Sequence, residues 1–254
     1  MKRAAIIQPC FLPWRGYFAI IQAVDVFIFL DDVQYDRRGW RNRNKIKTPT
    51  GPQWISVPVD SKGKYDQLIQ DTRICNETPW AKKLLRAVEQ NYGKAPYFNQ
   101  YYPWLKDRLL GAADSLCELD IQTTRDICGF LGLQTELRRS SELKLGKIDR
   151  TERLVHLCRA VGASSYLSGP SAREYIGEAQ AFTSAGIELR YAQYDFLPYP
   201  QGGGDFIGEV SVIDLLFHCG PAAASHAQFG AIEKGDCESP AAMLNAPHED
   251  LIRT

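Results

Sequence analysis

Two short apolar runs near the start of the chain determine the fold prediction. The first covers residues 4–7 and ends at Gln8, and the second covers residues 26–30 and ends at Asp31 and Asp32. A turn-prone loop and a short amphipathic segment separate them, so the order is strand, loop, helix, strand. This order is typical of the start of a parallel sheet, in which ligands bind outside the carboxyl ends of the strands.

Helices and strands alternate along the rest of the chain. Helical spacing of apolar residues dominates 78–131, and Gly and Pro separate the later elements. The later predicted strands cover 54–59, 68–75, 135–137, 165–168 and 187–191, and a last helix covers 211–217. We therefore predict one α/β domain over residues 1–254, with a mainly parallel sheet and flanking helices. Within it, residues 78–131 are predicted to form a helical insertion or lid.

Composition limits the partners of this protein. Its 254 residues are 44% hydrophobic and 24% charged, which are ordinary globular values. Lys and Arg number 30, as do Asp and Glu, so no overall field attracts nucleic acid or anionic membrane. No apolar run approaches the roughly 20 residues of a membrane span, and no signal peptide is evident. We expect a cytoplasmic protein that does not bind nucleic acid.

The cysteines do not indicate a metal site. The chain has seven, scattered and without a C-x-x-C pair or a neighbouring His at zinc spacing. An odd, dispersed set is typical of reduced thiols in the cytoplasm. We predict no bound metal among them.

Several separate motifs carry a family resemblance. They are IIQP at 6–9, LPWRGYF at 12–18, VFIFLDDVQY at 26–35, WRNRN at 40–44, WISVPV at 54–59, TERLVHLC at 151–158, SYLSGPSAREYI at 165–176, YPQGGGDF at 199–206 and SVIDLLFHCG at 211–220. In this order they resemble the WbqC-like proteins, which are encoded in surface-polysaccharide (O-antigen) and other small biosynthetic gene clusters. The resemblance implies transfer of a small group, such as glycine, onto a sugar.

Asp31 and Asp32 are the first catalytic candidates. Neighbouring residues of a strand point to opposite faces, so at most one of them should face a site. That carboxylate could bind a sugar diol, act as a general base or help to hold Mg²⁺. The structural alternative is a strand-end pair in which one aspartate caps the next turn and the other is solvated.

A loop rich in aromatic, amide and basic residues follows the second strand. Trp40, Asn42 and Arg43 combine a stacking surface, an amide and a guanidinium fork, which suit a sugar carrying a phosphate or carboxylate. Such interleaving also occurs in proteins that bind single-stranded nucleic acid, but one loop in a neutral protein is thin support for that. We expect this loop to share one pocket with the residues that follow the first strand, namely Gln8, Trp14 and Tyr17.

The segment 168–173 is a candidate anion site. A strand that ends in small residues and opens a helix presents free backbone N–H groups, to which Arg173 can add a bidentate contact. The proposed contacts are Ser168, Gly169, Ser171 and Arg173. The alternative is an ordinary helix start with Ser171 as its cap.

This late segment also resembles the second signature of HUP-class nucleotidyl transferases. Their first signature, H-x-G-H, has no counterpart here, because Trp14 and Tyr17 stand where the histidines would be. Neither aromatic residue can stabilise a transferring phosphate. The likeness is one of fold only, and ATP and Mg²⁺ stay open as cofactors.

Asp214 and His218 are the remaining catalytic candidates. They are spaced i, i+4 on a predicted helix and share a face, so the aspartate could orient the imidazole for acid–base work. Gln201 belongs to the preceding Pro/Gly loop and could reach the same area. The alternative is a helix-end histidine bonded to a neighbouring aspartate for structural reasons.

Three functions stay open at this point. The first is a transferase or amide-forming enzyme that acts on a sugar or nucleotide sugar, and the second is an ATP-dependent ligase of HUP type. The third is a sugar- or nucleotide-binding protein without catalysis. The sequence does not identify donor, acceptor or oligomeric state.

Overall fold

The computed structural model describes residues 1–112, 114–146, 148–170, 179–229 and 232–234. The strands are β1 (Arg3–Ile7), β2 (Val26–Phe29), β3 (Arg43–Thr48), β4 (Gly51–Ser56), β5 (Glu136–Arg139), β6 (Ser165–Ser168), β7 (Glu188–Ala192) and β8 (Ile232–Lys234). The α-helices are α1 (Arg15–Gln22), α2 (Trp80–Tyr92), α3 (Phe98–Leu110), α4 (Leu116–Phe130), α5 (Arg150–Ala160), α6 (Ala179–Ser184) and α7 (Val212–Cys219).

Six of the strands form one sheet in the order β5-β2-β1-β6-β7-β8. The pairs from β5 to β7 are all parallel, and only β8 runs antiparallel to its neighbour. The predicted α/β fold, with a mainly parallel sheet and flanking helices, is therefore confirmed. The strand order reverses direction between β1 and β6, and ligands of open α/β sheets bind beside such a switch point, at the carboxyl ends of the strands.

Alternate residues of the strands pack into two separate hydrophobic cores, one on each face of the sheet. On one face, Ala5, Phe27 and Phe29 pack with α1, with α7 and with the helices between residues 80 and 130. On the other face, Ile6, Val26 and their neighbours pack against α5 and α6. Both faces of the central strands are covered, which explains why their sequences are continuous apolar runs.

The stretch 78–131 holds α2, α3 and α4, as its helical spacing predicts. Ser115 caps α4, because its hydroxyl accepts a hydrogen bond from the Glu118 N–H. The buried residues of the three helices, such as Val88, Leu105 and Ile127, belong to the core that covers one face of the sheet. That this block acts as a lid stays a prediction.

A two-stranded hairpin lies outside the main sheet. β3 and β4 pair antiparallel, from Arg43↔Ser56 to Thr48↔Gly51. The sequence predicted a loop where β3 lies, because the buried side of that strand includes a polar residue, Asn44, beside Ile46. A strand was also predicted at 68–75, but this stretch contains a short 3₁₀ helix at Ile69–Asp71 and isolated bridges.

Among the residues that the structure describes, no helix is both long and apolar enough to cross a bilayer. Six cysteines are described, all of them free thiols, and five of these are buried.

Candidate functional site

The end of β1 is the centre of a polar cluster. Gln8 follows the strand and is partly exposed. Its backbone carbonyl accepts a hydrogen bond from the Tyr17 hydroxyl at 3.2 Å. Its side-chain Oε1 accepts a short hydrogen bond from Arg41 Nη1. The second terminal nitrogen of Arg41, Nη2, lies 3.2 Å from Cys10 Sγ. Gln8 and Tyr17, predicted to share a site, thus meet at the switch point.

The loop that carries Arg41 is held over this cluster by hydrogen bonds to backbone groups of the first loop. The Phe11 N–H donates to the Trp40 carbonyl at 3.1 Å. The buried side-chain amide of Asn44 donates to the carbonyls of Phe11 and Leu12, at 3.2 and 2.7 Å. Because these bonds join the first loop to the hairpin, Arg41 is held against Gln8.

Asp120 of α4 is a site candidate that the sequence did not reveal. Its side chain is fully buried, and neither carboxyl oxygen has a hydrogen-bond partner within the part of the chain that the structure describes. Burial raises the pKa of Asp120 well above its usual value, and the charge of Arg41 opposes this only in part. In the sequence, Asp120 is a single aspartate between Leu119 and Ile121 on a predicted helix, which is typical of a solvent-exposed position. No sequence pattern therefore predicts that it is buried.

Asp31 and Asp32 occupy a different network, and the predicted alternation of faces is wrong for them. β2 ends at Phe29, so both aspartates lie beyond the strand, where the period of two no longer applies. The Ser140 hydroxyl contacts both carboxylates. Asp32 also accepts a hydrogen bond from Arg153 Nη1 at 2.8 Å.

The Asp31 carboxylate is fully buried and its oxygens are occupied. It accepts hydrogen bonds from Arg139 Nε at 2.7 Å and from the N–H and hydroxyl of Ser141 at 2.9 and 2.8 Å, and it shares the single proton of the Ser140 hydroxyl with Asp32. A carboxylate that is engaged on both oxygens and has no exposed surface is not accessible to a substrate proton. This geometry favours the structural alternative for Asp31 over the role of general base.

Trp40 and Trp54 form an exposed aromatic platform with two cations. The two indole rings lie 5.2 Å apart, and their side chains are 42% and 46% exposed. The guanidinium of Arg43 lies 4.5 Å from the Trp54 ring centre, and Lys45 Nζ lies 5.2 Å from it. Asn42 points elsewhere, because its side-chain amide donates to the Val57 carbonyl at 2.8 Å.

Trp14 lies at the same edge of the sheet. Its ring packs edge-on against Tyr194, with 4.8 Å between ring centres. Tyr194 also lies close to Gly169, where an added Cβ would be 3.1 Å from the tyrosine hydroxyl. The loop after β1 and the end of β6 are thereby linked through one tyrosine. Ser168 is buried in β6, whereas Ser171 and Arg173 lie outside the described residues.

A second buried cluster surrounds Asp214. Its side chain is fully buried and accepts hydrogen bonds from Tyr92 at 2.9 Å, Tyr199 at 2.7 Å and Gln201 at 2.8 Å. Burial is the main cause that raises the pKa of both tyrosine hydroxyls, and the neighbouring carboxylate adds to it. These hydroxyls therefore stay protonated and serve as donors.

His218 is the titratable group of this cluster. Its Nδ1 lies 2.8 Å from the backbone carbonyl of Asp214 and 3.5 Å from the carboxylate, while Nε2 accepts a hydrogen bond from the Gly202 N–H at 2.9 Å. This pattern fixes a neutral imidazole with its proton on Nδ1. Burial lowers the pKa of His218, but the hydrogen bond and charge of Asp214 outweigh it and raise the pKa above 6.5.

A cavity of about 150 Å³ opens beside His218. Its lining includes Lys47, Tyr92 and the backbone of the glycine loop at Gly202 and Gly203. Gly203 and Gly204 have φ values of +57° and +68°, which residues with a Cβ rarely adopt. The loop over the imidazole therefore depends on its glycines.

The sequence model of the WbqC-like protein family matches residues 8–226 of this chain. The chain belongs to the WbqC-like family. The uncharacterized protein Rv1507c of Mycobacterium tuberculosis is a relative of this WbqC-like chain, 42% identical over 231 residues, which are 90% of this chain and 99% of the relative. No solved structure matches it.

In this WbqC-like protein the sequence-predicted site residues fall into separate groups. Gln8 and Tyr17 meet at the switch point, Trp40 and Arg43 form the platform, and the third group surrounds Asp214. The first loop links the groups, because the Val212 N–H that begins α7 donates to the Pro13 carbonyl at 2.9 Å. Among the described residues, no three His, Cys, Asp or Glu side chains are placed to bind a metal ion.

Proposed function

We propose that this WbqC-like protein is a cytoplasmic transferase of polysaccharide or natural-product biosynthesis. It moves a small acyl or aminoacyl group onto a hydroxyl or amine of a sugar or similar precursor. The observation that carries the proposal is the Asp214–His218 pair beside a cavity. A neutral, oriented imidazole whose pKa is raised by the neighbouring Asp214, against the effect of burial, is suited to general acid–base work.

In this mechanism His218 Nε2 takes the proton of the acceptor hydroxyl or amine. The acceptor then attacks the carbonyl carbon of an activated acyl donor, and the departing group receives the proton from the imidazolium. Asp214 keeps Nδ1 in its tautomer and stabilises the positive charge that forms on the ring. The Tyr92 and Tyr199 hydroxyls hold the carboxylate in place.

The glycine loop must move before this step can occur. In the structure Nε2 is occupied by the Gly202 N–H, so a substrate proton reaches it only when that bond opens. The glycines of the loop lower the barrier to such a change of backbone conformation. The support for motion is that residues 202–205 are exposed and lie beside the partly buried imidazole of His218.

A second candidate is a nucleotide-dependent ligase. The strand order reverses between β1 and β6, which is where doubly wound sheets bind nucleotides. Trp14 and Tyr17 still stand where HUP enzymes have histidines, and Tyr17 is buried with its hydroxyl bonded to Gln8. The ligase alternative is therefore tested by asking whether a nucleotide binds at the switch point.

The test combines a ligand panel with one substitution. Thermal shifts are measured with nucleotide sugars, and with ATP in the presence and absence of Mg²⁺; turnover with the ligands that bind is followed by mass spectrometry of the acceptor. We expect His218→Gln to bind ligand but to lose about 10²–10⁴-fold in turnover. His156→Gln, on the exposed side of α5, is the control and should keep full activity. Full turnover by His218→Gln would refute the proposal, and a shift with ATP that requires Mg²⁺ would favour the ligase.

A further inference from the structure

Lys47 carries a buried ammonium group that the proposed reaction has not used so far. The residue belongs to β3 and is 4% exposed. Its Nζ donates a hydrogen bond to the backbone carbonyl of Asp205 at 2.7 Å. Within the described part of the chain, Lys47 forms no ion pair with a carboxylate. Because a buried charge without a counter-ion costs free energy, its place in the interior indicates a role other than stabilising the fold.

A chain of hydrogen bonds fixes Lys47 relative to the Asp214–His218 pair. The backbone N–H of Lys47 donates to the Tyr92 hydroxyl at 2.8 Å, and this hydroxyl donates to the Asp214 carboxylate at 2.9 Å. Lys47 and His218 both line the cavity of about 150 Å³. Burial and the nearby charge of Lys47 both act to lower the pKa of His218, although Asp214 outweighs them. The ammonium and the imidazole therefore share one small space.

The glycine loop occupies both of these groups in the free protein. The Gly202 N–H donates to His218 Nε2 at 2.9 Å. Three residues later, the Asp205 carbonyl oxygen accepts the hydrogen bond from Lys47 Nζ. An N–H against the imidazole and a carbonyl oxygen against the ammonium have the polarity of the two substrates of an acyl transfer, namely the N–H or O–H of the acceptor and the carbonyl of the donor. Movement of this one loop would free both groups together.

The size and charge of the cavity fit a reacting carbonyl group better than a permanently anionic substituent. Its volume of about 150 Å³ is below the roughly 300–1,000 Å³ of pockets that enclose a whole ligand. While the imidazole is neutral, the charges of Asp214 and Lys47 balance. An anion bound in that state would leave an excess negative charge. Transfer instead creates a positive charge on the imidazole and a negative charge on the carbonyl oxygen together, so the balance is kept.

We propose that Lys47 stabilises the oxyanion that forms on the acyl donor, and that the glycine loop holds this position until the substrates bind. The assignment rests on the proposed transfer function and adds a second catalytic residue to it. The acceptor loses its proton to His218 Nε2 and bonds to the carbonyl carbon, while the π electrons of the C=O bond move to the oxygen, which accepts a hydrogen bond from Lys47 Nζ. When the C=O bond re-forms, the bond to the departing group breaks, and that group takes the proton from the imidazolium.

Inorganic phosphate tests this site directly, because it is a small tetrahedral oxyanion. The protein is titrated with phosphate at about pH 6, below the raised pKa of His218, and the NMR signals of the His218 ring and the Gly202 amide are followed. We expect both signals to shift as phosphate takes the place of the loop. Lys47→Met should lower the affinity roughly 10-fold to 100-fold, since a charge-assisted hydrogen bond is lost. Lys83→Met, on the exposed side of α2, is the control and should bind phosphate as the wild type does.

Stability and kinetics separate a catalytic role of Lys47 from a structural one. Lys47→Met removes a buried charge that has no ion pair among the described residues, so its melting temperature should equal or exceed that of the wild type. In acyl transfer its kcat should fall about 10²–10³-fold at an unchanged KM, because the oxyanion is absent from the bound ground state.

Three results would overturn the assignment of Lys47. They are the absence of phosphate binding at His218 in the wild type, equal binding by Lys47→Met, and a clear drop in the melting temperature of that variant. If His218→Gln loses turnover while phosphate binding does not depend on Lys47, only the assignment of Lys47 fails. If His218→Gln keeps full turnover while phosphate binding requires Lys47, the anion site stands and the acid–base role of His218 fails.

Discussion

Asp31→Asn should destabilise the fold severely, although the change is nearly isosteric. The Asp31 carboxylate is 0% exposed and accepts bonds from Arg139, Ser140 and Ser141. An asparagine keeps one oxygen and turns an N–H₂ group towards donors that then have no acceptor. The substitution also takes away one of the two carboxylate partners of Arg139, which keeps only its ion pair with Glu118.

The magnitude follows from burial. Breaking a buried ion pair by removing one partner costs about 3–5 kcal/mol. Arg139 keeps its ion pair with Glu118 and is 21% exposed to water, so part of the loss is compensated and the lower end applies. We therefore expect about 3 kcal/mol. At an m-value of about 2 kcal/mol/M this is a fall of about 1.5 M in the urea midpoint.

Two other aspartates provide a graded control in the same urea titrations. Asp32→Asn should lose about 1–2 kcal/mol, because the Asp32 side chain is 12% exposed to water whereas that of Asp31 is 0% exposed. Asp25→Asn should lose less than about 1 kcal/mol, since its pair with Arg3 is more than 40% exposed. If Asp31→Asn proves no more harmful than Asp25→Asn, the network at the end of β2 does not hold the fold and our reasoning about Asp31 fails.

Three further predictions concern other parts of the molecule. Arg15→Lys should lose about 1–2 kcal/mol in thermal unfolding, because the buried guanidinium stacks on three aromatic rings that an ammonium cannot cover equally; an unchanged melting temperature would contradict this. Gly220→Ala should lower the free energy of unfolding by more than about 2 kcal/mol, because the added Cβ would lie 2.4 Å from the Tyr97 ring. Gly162→Ala has free space around it and should lower the free energy of unfolding by only about 1 kcal/mol, so equal values would show that the clash relaxes. As the pH falls below the pKa of His218, Nε2 gains a proton and no longer accepts the hydrogen bond from the Gly202 N–H. Hydrogen exchange of the Gly202 amide, corrected for its intrinsic rate, should then become faster. Constant protection from pH 8 to pH 5, about the range over which a histidine titrates, would argue against that bond.

The parts of the fold that could be predicted are those with local causes. The runs 4–7 and 26–30 become β1 and β2 because strands covered on both faces need apolar residues at every position. Asp214 and His218 meet because helical spacing alone places them on one face. In each case the cause lies within a few residues along the chain.

The parts that could not be predicted depend on partners far away in sequence. Asn44 can be buried in β3 because the carbonyls of Phe11 and Leu12 accept hydrogen bonds from its side-chain amide. Its polar side chain interrupts the apolar pattern by which the strand could have been predicted. Asp120 gains its unusual surroundings from Arg41, a residue of a distant loop. Such pairings follow from the assembled topology, and spacing along the chain carries no sign of them.

The central position of β1 has a consequence for the order in which the chain folds during synthesis. Its partner β2 leaves the ribosome soon afterwards, but its other partner, β6, begins only at Ser165. At about 5–20 residues per second, the second edge of β1 stays unpaired for roughly 10–30 seconds. An unpaired apolar edge can pair with strands of other chains, so we expect the need for chaperones to be greatest while only the N-terminal half has been synthesised.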